Sequence, residues 1–274
     1  MGVAYLVHAE RGDDRPTTFW RWQVSGPLIE LSTQGVFVFE VATKDCRLLT
    51  DTELAEMADL AVEGPSGFDS EYLSTVRSVP DSEPSKPKWV LITQAHEDGK
   101  LRGFAFSSLE RIGGTPCLLI GEACFTRMGS AEGALKAVMR DLYRRAVMAF
   151  PDEDVLVGAR VMDPSAYRAL TGLTDIVPLP GHKASGEERA WGRRLMKRFS
   201  EFETNAKGQL DDRTFVVTGD KTVIGFMDYS PRKVPASAKV VAELFSSIDE
   251  ARHDALVCCG WAMVEDLAAG TLQK

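Results

Sequence analysis

The feature that most constrains this 274-residue chain is residues 116–173, which read as strand, glycine-marked turn, helix, strand, short helix. Residues 117–125 form an apolar run of strand length that ends at Thr126-Arg127-Met128-Gly129-Ser130-Ala131. Leu135, Val138, Met139, Leu142 and Ala146 then recur at the spacing of a helix with one buried face, ending near Phe150. Residues 155–161 read as a second buried strand, and Asp163-Pro164-Ser165 opens another helix. Two apolar strands joined by a helix imply parallel pairing and a right-handed crossover. The strand-to-helix turn presents backbone N–H groups and the positive end of the helix dipole, a natural place for an anion.

The chain before this unit reads as antiparallel. Residues 1–35 look like a β extension, with Phe19, Trp20 and Trp22 as packing aromatics and residues 32–35 as a hairpin turn into a strand over 36–41. Thr50 or Asp51 caps a helix through Ala61, with Leu54, Met57, Ala58 and Ala61 on one face and Glu53 in its first turn. A second short helix is expected over 69–76 and a loop over 80–88. Strands at 89–94 and 103–109 flank a turn at 96–100, and residues 111–115 turn again into the strand at 117.

Beyond the unit, residues 176–179 read as a strand and 187–199 as a basic helix. Residues 214–218 and 222–227 read as a hairpin around Gly219-Asp220, and a helix is expected over 236–251. The apolar tail over 256–267 fits strand and helix equally. The expectation is an α+β fold: a mixed, mostly antiparallel central sheet containing one parallel βαβ unit, flanked by helices, with extensions at both ends. Its divisions are a β extension over 1–35, a central domain over 36–230, and a helical extension over 231–274 packed on the same domain.

A hydrophobic share of 44% with 26% charged residues supports a packed core rather than a disordered chain. The net charge of −8 argues against a dedicated nucleic-acid binder, whose footprint is basic. No apolar run reaches the length of a membrane span, and residues 1–6 lack the charged start of a signal peptide. Leu6 stands where a myristoylation site wants Ser or Thr. The five cysteines include no Cys-x-x-Cys pair, and three sit in apolar runs, as reduced buried thiols of a cytoplasmic protein do. The four histidines are scattered, so no metal site is expected.

The order of elements over residues 36–230 resembles the GNAT superfamily of N-acetyltransferases. Family members bind acetyl-CoA where two central strands splay apart, with the pyrophosphate on a Gln/Arg-x-x-Gly-x-Gly/Ala turn. Here the turn matches at Gly129 and Ala131 and has Thr126 at the Gln/Arg position. Residues 163–170 resemble the segment that follows the second strand of the unit, with Asp163 in place of Asn. The tyrosine that often acts as general acid in that family falls at Leu170, and Tyr167 lies one turn away. The resemblance implies acetyl-CoA or another acyl-CoA as cofactor. Its expected contacts are Phe125, Thr126, Arg127, Gly129, Ser130, Ala131 and Asp163, with Glu122 and Tyr167 as catalytic candidates. The implied acceptor is a small-molecule or protein amine, and the terminal extensions could supply a homodimer interface or cover the groove.

Each candidate has a structural alternative. Gly129 can supply the backbone geometry for close approach to phosphate, Ser130 can cap the helix and Arg127 can add a charged contact. Glu132 in the first turn would repel a diphosphate, so a capped turn that binds nothing stands beside the anion site. Glu122 shares a strand face with Ile120 and Cys124 in the expected alternation; an apolar setting would suit it as a base, or it is a hydrogen-bonded strand residue without chemistry. Gly158 marks either a bulge or close packing against the central helix. Arg189, Arg193, Arg194, Lys197 and Arg198 form a stripe that meets an anionic partner or is a solvated face. Two functions follow: acyl transfer from CoA to an amine, or a catalytically inactive GNAT-like binding or assembly module.

Overall fold

A computed structural model describes residues 28–32, 35–62, 90–126, 131–162, 164–202, 208–219, 227–228, 241–249, 252 and 254–272. The expected helix at 69–76, the loop at 80–88 and the start of the chain lie outside these residues. The architecture is the mixed α+β sheet that the sequence implies, and its middle carries the parallel unit.

Two tight hairpins build the antiparallel half. Strand β2 (Gly35–Asp45) pairs with β1 (Leu28–Ser32) on one side and with β3 (Leu91–Glu97) on the other. Asp98 and Gly99, both at positive φ, turn β3 into β4 (Lys100–Ile112); Gly113 and Gly114, also at positive φ, turn β4 into β5 (Thr115–Phe125). Positive φ at both central residues matches the strand twist, which is why Asp-Gly and Gly-Gly stand there.

Helix α1 (Asp51–Val62) is fixed by a reciprocal cap. The Glu53 carboxylate accepts from the Thr50 N–H and hydroxyl, each at 2.8 Å, and the Glu53 N–H donates to Thr50 Oγ1 at 3.3 Å.

From β5 the chain enters α2 (Ala131–Ala149) and returns in β6 (Val155–Val161), parallel to β5. Ala134, Leu135, Ala137, Val138, Met139, Leu142 and Ala146 of α2 are buried against one sheet face with Leu118, Ile120, Val155, Val157 and Ala159. The other face packs on α1 and on α4 (Gly186–Phe202), through Met57, Leu119, Leu156, Leu195 and Phe199. Between β6 and α4 lie α3 (Pro164–Arg168) and β7 (Thr174–Val177).

The last third departs from the sequence reading in three ways. Residues 216–218 form β9, paired with β8 (Gln209–Asp211); of the expected hairpin partner over 222–227 only Met227 is described, and with Asp228 it forms β10 inside the parallel unit. The expected helix over 236–251 is, in its described part, a 3-10 turn at Ala242–Phe245. The ambiguous tail is strand β11 (Ala255–Ala262) followed by α5 (Val264–Ala269). β11 lies antiparallel to β6 near the sheet centre and also pairs with β7 and β9, so residues 231–274 are not a purely helical extension. The sheet order is β1-β2-β3-β4-β5-β10-β6-β11-β9-β8, with β7 on β11.

Candidate functional site

The site is set by how β5 leaves β6. The two strands pair directly from Cys117 opposite Leu156 to Ile120 opposite Ala159. Past that point β10 stands between them: Met227 is in parallel register with Ala123 on one side and with Val161 on the other, and Asp228 with Cys124. The gap is therefore one strand wide.

A bulge sits at the parting. On β4, Ala105 faces Ala123 and Ser107 faces Ile120, so Gly121 and Glu122 together oppose Phe106. The extra residue reverses the alternation of β5. Before it Leu118 and Ile120 face α2; after it Ala123 and Phe125 do, and Cys124 faces α1. The expected grouping of Glu122 with Ile120 on one face is thus corrected. Glu122 lies with Cys124 on the α1 side, wholly buried, and its charge adds to burial and to Asp45 in pushing the Cys46 thiol upward.

Arg160 of β6, on that same α1–α4 side, is also wholly buried, with its guanidinium 5.1 Å above the centroid of the Phe199 ring. In the sequence it reads only as part of an apolar strand. The available signal was one Arg among Val, Leu, Gly and Ala at a position that alternation makes interior.

Of the expected phosphate turn, Thr126 is buried and its N–H donates to the Arg102 carbonyl at 2.8 Å, so that amide continues the β4–β5 ladder. Phe125 is buried and opposite Gly103. Ala131 opens α2. Arg127, Gly129, Ser130 and Asp163 lie outside the described residues.

Tyr167 is held inside the core. Its hydroxyl donates to the Pro178 carbonyl oxygen at 2.6 Å, its ring meets Phe245 edge-on at 6.3 Å, and burial pushes the phenol upward. Leu170 is buried in the same cluster. Gly158 carries no bulge: it pairs with Cys259 in an unbroken ladder, and a Cβ there would lie 2.8 Å from Leu195 Cδ2. Its close packing is against α4 rather than the central helix.

The α4 stripe is largely satisfied within the fold. Arg193 pairs with Asp212, Arg198 with Glu110 and Glu201, and Arg194 covers the Trp191 ring at 4.8 Å. Cys46, Cys117, Cys124, Cys258 and Cys259 are all buried and unbridged, and burial pushes Cys117 and Cys259 up to about 12. Among the described residues no helix is long and apolar enough to cross a membrane, and no group of His, Cys, Asp and Glu is arranged to hold a metal ion.

No family model matches the chain, and no curated protein does. Solved structures that it resembles include three N-acyltransferases. One is the ribosomal-protein-alanine N-acetyltransferase of Brucella melitensis, 16% identical over 43% of this chain and 78% of that one, with a TM-score of 0.32. An acyl-CoA N-acyltransferase from Pseudomonas aeruginosa is 19% identical over 50% and 90%, with a TM-score of 0.33. The aminoglycoside 6'-N-acetyltransferase of Enterococcus faecium is 11% identical over 44% and 62%, with a TM-score of 0.31.

Proposed function

We propose that this chain is a GNAT-like N-acyltransferase that takes an acyl-CoA, acetyl-CoA in the first instance, between β5 and β6 and passes its acyl group to an amine. The parting of those two strands past Ile120 and Ala159 carries the reading. Two parallel strands that separate around a gap one strand wide offer N–H and C=O groups from both sides to an extended ligand. The amide-bearing arm of CoA has that shape and those partners, and the pairing of Met227 with both strands supports the width. The pyrophosphate would be taken by the segment that leads into α2, for which the sequence offers Arg127, Gly129, Ser130 and Ala131.

Bound acyl-CoA would supply the thioester carbon that the amine attacks and the thiol that leaves. The protein's part is positioning and proton transfer. The bulge carries Glu122 to the parting on the α1 face, where its carboxylate takes a proton from the incoming ammonium, directly or through one water. The acceptor is an amine of a small molecule or a protein. The five buried, unbridged thiols support a cytoplasmic setting.

Calorimetric titration with acetyl-CoA and CoA tests this: saturable binding is expected, and no heat at roughly millimolar ligand would remove the acyl-CoA reading. A second reading, a catalytically inactive module of the same fold, is favoured by the committed Tyr167 hydroxyl. On that reading no amine would trigger release of free CoA thiol.

A further inference from the structure

Met227 and Asp228 hold an unusual place. A two-residue strand in the middle of a sheet, far in sequence from both neighbours, pairs with the end of β5 and with the last residue of β6. Local alternation would have joined it to β9 in a hairpin, yet β9 pairs with β8 and β11. Val161 is shared: Leu256 of β11 pairs with it on one side and Met227 on the other. The strand therefore closes the gap that the parting of β5 and β6 opens.

We propose that β10 is an intramolecular occupant of the acyl-CoA arm's place, so that ligand entry requires Met227 and Asp228 to leave the sheet. The inference rests on the acyl-CoA reading of that gap. The chemistry is competition for the same groups. A strand's backbone and an amide-bearing arm use the same N–H and C=O edges of β5 and β6, and both cannot be satisfied at once. Tethered to the same chain, β10 competes at a high effective concentration, which lowers apparent affinity for free ligand. Its shortness makes it displaceable: β10 pairs through two residues, whereas β11 is laddered to β6 from Leu256 to Ala262.

Met227→Pro tests this, because proline removes the N–H and does not fit a strand paired on both sides. Titrated with CoA beside the unmodified protein, the variant should bind at least about tenfold more tightly. Equal or weaker binding by the variant overturns the inference and leaves the acyl-CoA reading standing. Absence of binding in both proteins overturns the two together. Should the variant not fold, hydrogen exchange of the unmodified protein with saturating CoA decides. Faster exchange of the Met227 and Asp228 amides, with β6 still protected, supports displacement. Unchanged or slower exchange of those amides with CoA bound refutes it.

Discussion

The Tyr167 hydroxyl donates a 2.6 Å hydrogen bond to the carbonyl oxygen of Pro178. This ties α3 to the segment after β7 and uses the phenolic proton inside the core. Tyr167→Phe should therefore lower unfolding stability by roughly 1–2 kcal/mol, the effect of leaving a buried carbonyl without its donor. CoA affinity should stay within about twofold. A general acid would instead show as a loss of about a hundredfold or more in turnover with stability intact. Urea unfolding and CoA titration of the same variant separate the two.

Glu122 has the opposite signature. Glu122→Gln keeps the shape of the carboxylate and removes its basicity, so CoA binding should persist. Acyl transfer to a working amine should fall by about a hundredfold or more. Thiol release with the amine present, beside CoA titration of the same variant, measures both.

Gly158 and Leu195 form a tight contact between β6 and α4. Gly158→Ala should cost roughly 1–3 kcal/mol through overpacking. Adding Leu195→Ala should give a double variant less destabilised than the sum of the two single changes, because the second truncation relieves the first clash. Additive losses in denaturant unfolding would show that the two residues do not share the strain.

Asp141 and Asp254 set an acid limit on stability. Burial alone raises Asp141, but the Arg145 charge and hydrogen bonds from Thr43, Arg144 and Arg145 outweigh it, and the net shift is downward. Asp254 behaves alike: burial raises it, and Arg252 with the Gly219 and Asp249 N–H groups lowers it further. A depressed carboxyl contributes stability that is fully present above its unfolded value, near 3.8 here. That contribution is lost as pH falls through the folded value. The unfolding midpoint should hold from neutrality down to about pH 5 and drop below pH 4. Asp141→Asn should flatten that drop while lowering stability at pH 7.

Much of the fold is legible from local pattern. The helical spacing from Leu135 to Ala146 buries the face it predicts, the Thr50–Glu53 cap starts α1, and Asp98-Gly99 and Gly113-Gly114 make their turns. What escapes is set at long range. A bulge shifts β5 by one residue, so Glu122 changes face without any mark in composition. Residues 255–262 are apolar on both sides because the strand lies between layers, and such a run has no period to distinguish strand from helix. Met227 alternates well enough for a nearby hairpin, and only the opening between β5 and β6 explains its actual partners. Arg160 breaks the apolar pattern of β6, but its burial over Phe199 depends on a helix that arrives much later in the chain.

A crystal structure of the protein with CoA decides whether the parting of β5 and β6 holds an acyl-CoA. The amides of the CoA arm should be bonded between β5 beyond Ile120 and β6 beyond Ala159, with the pyrophosphate at the start of α2. CoA bound elsewhere on the molecule, or crystals grown in excess ligand that hold none while β5 and β6 keep their present partners, would contradict it.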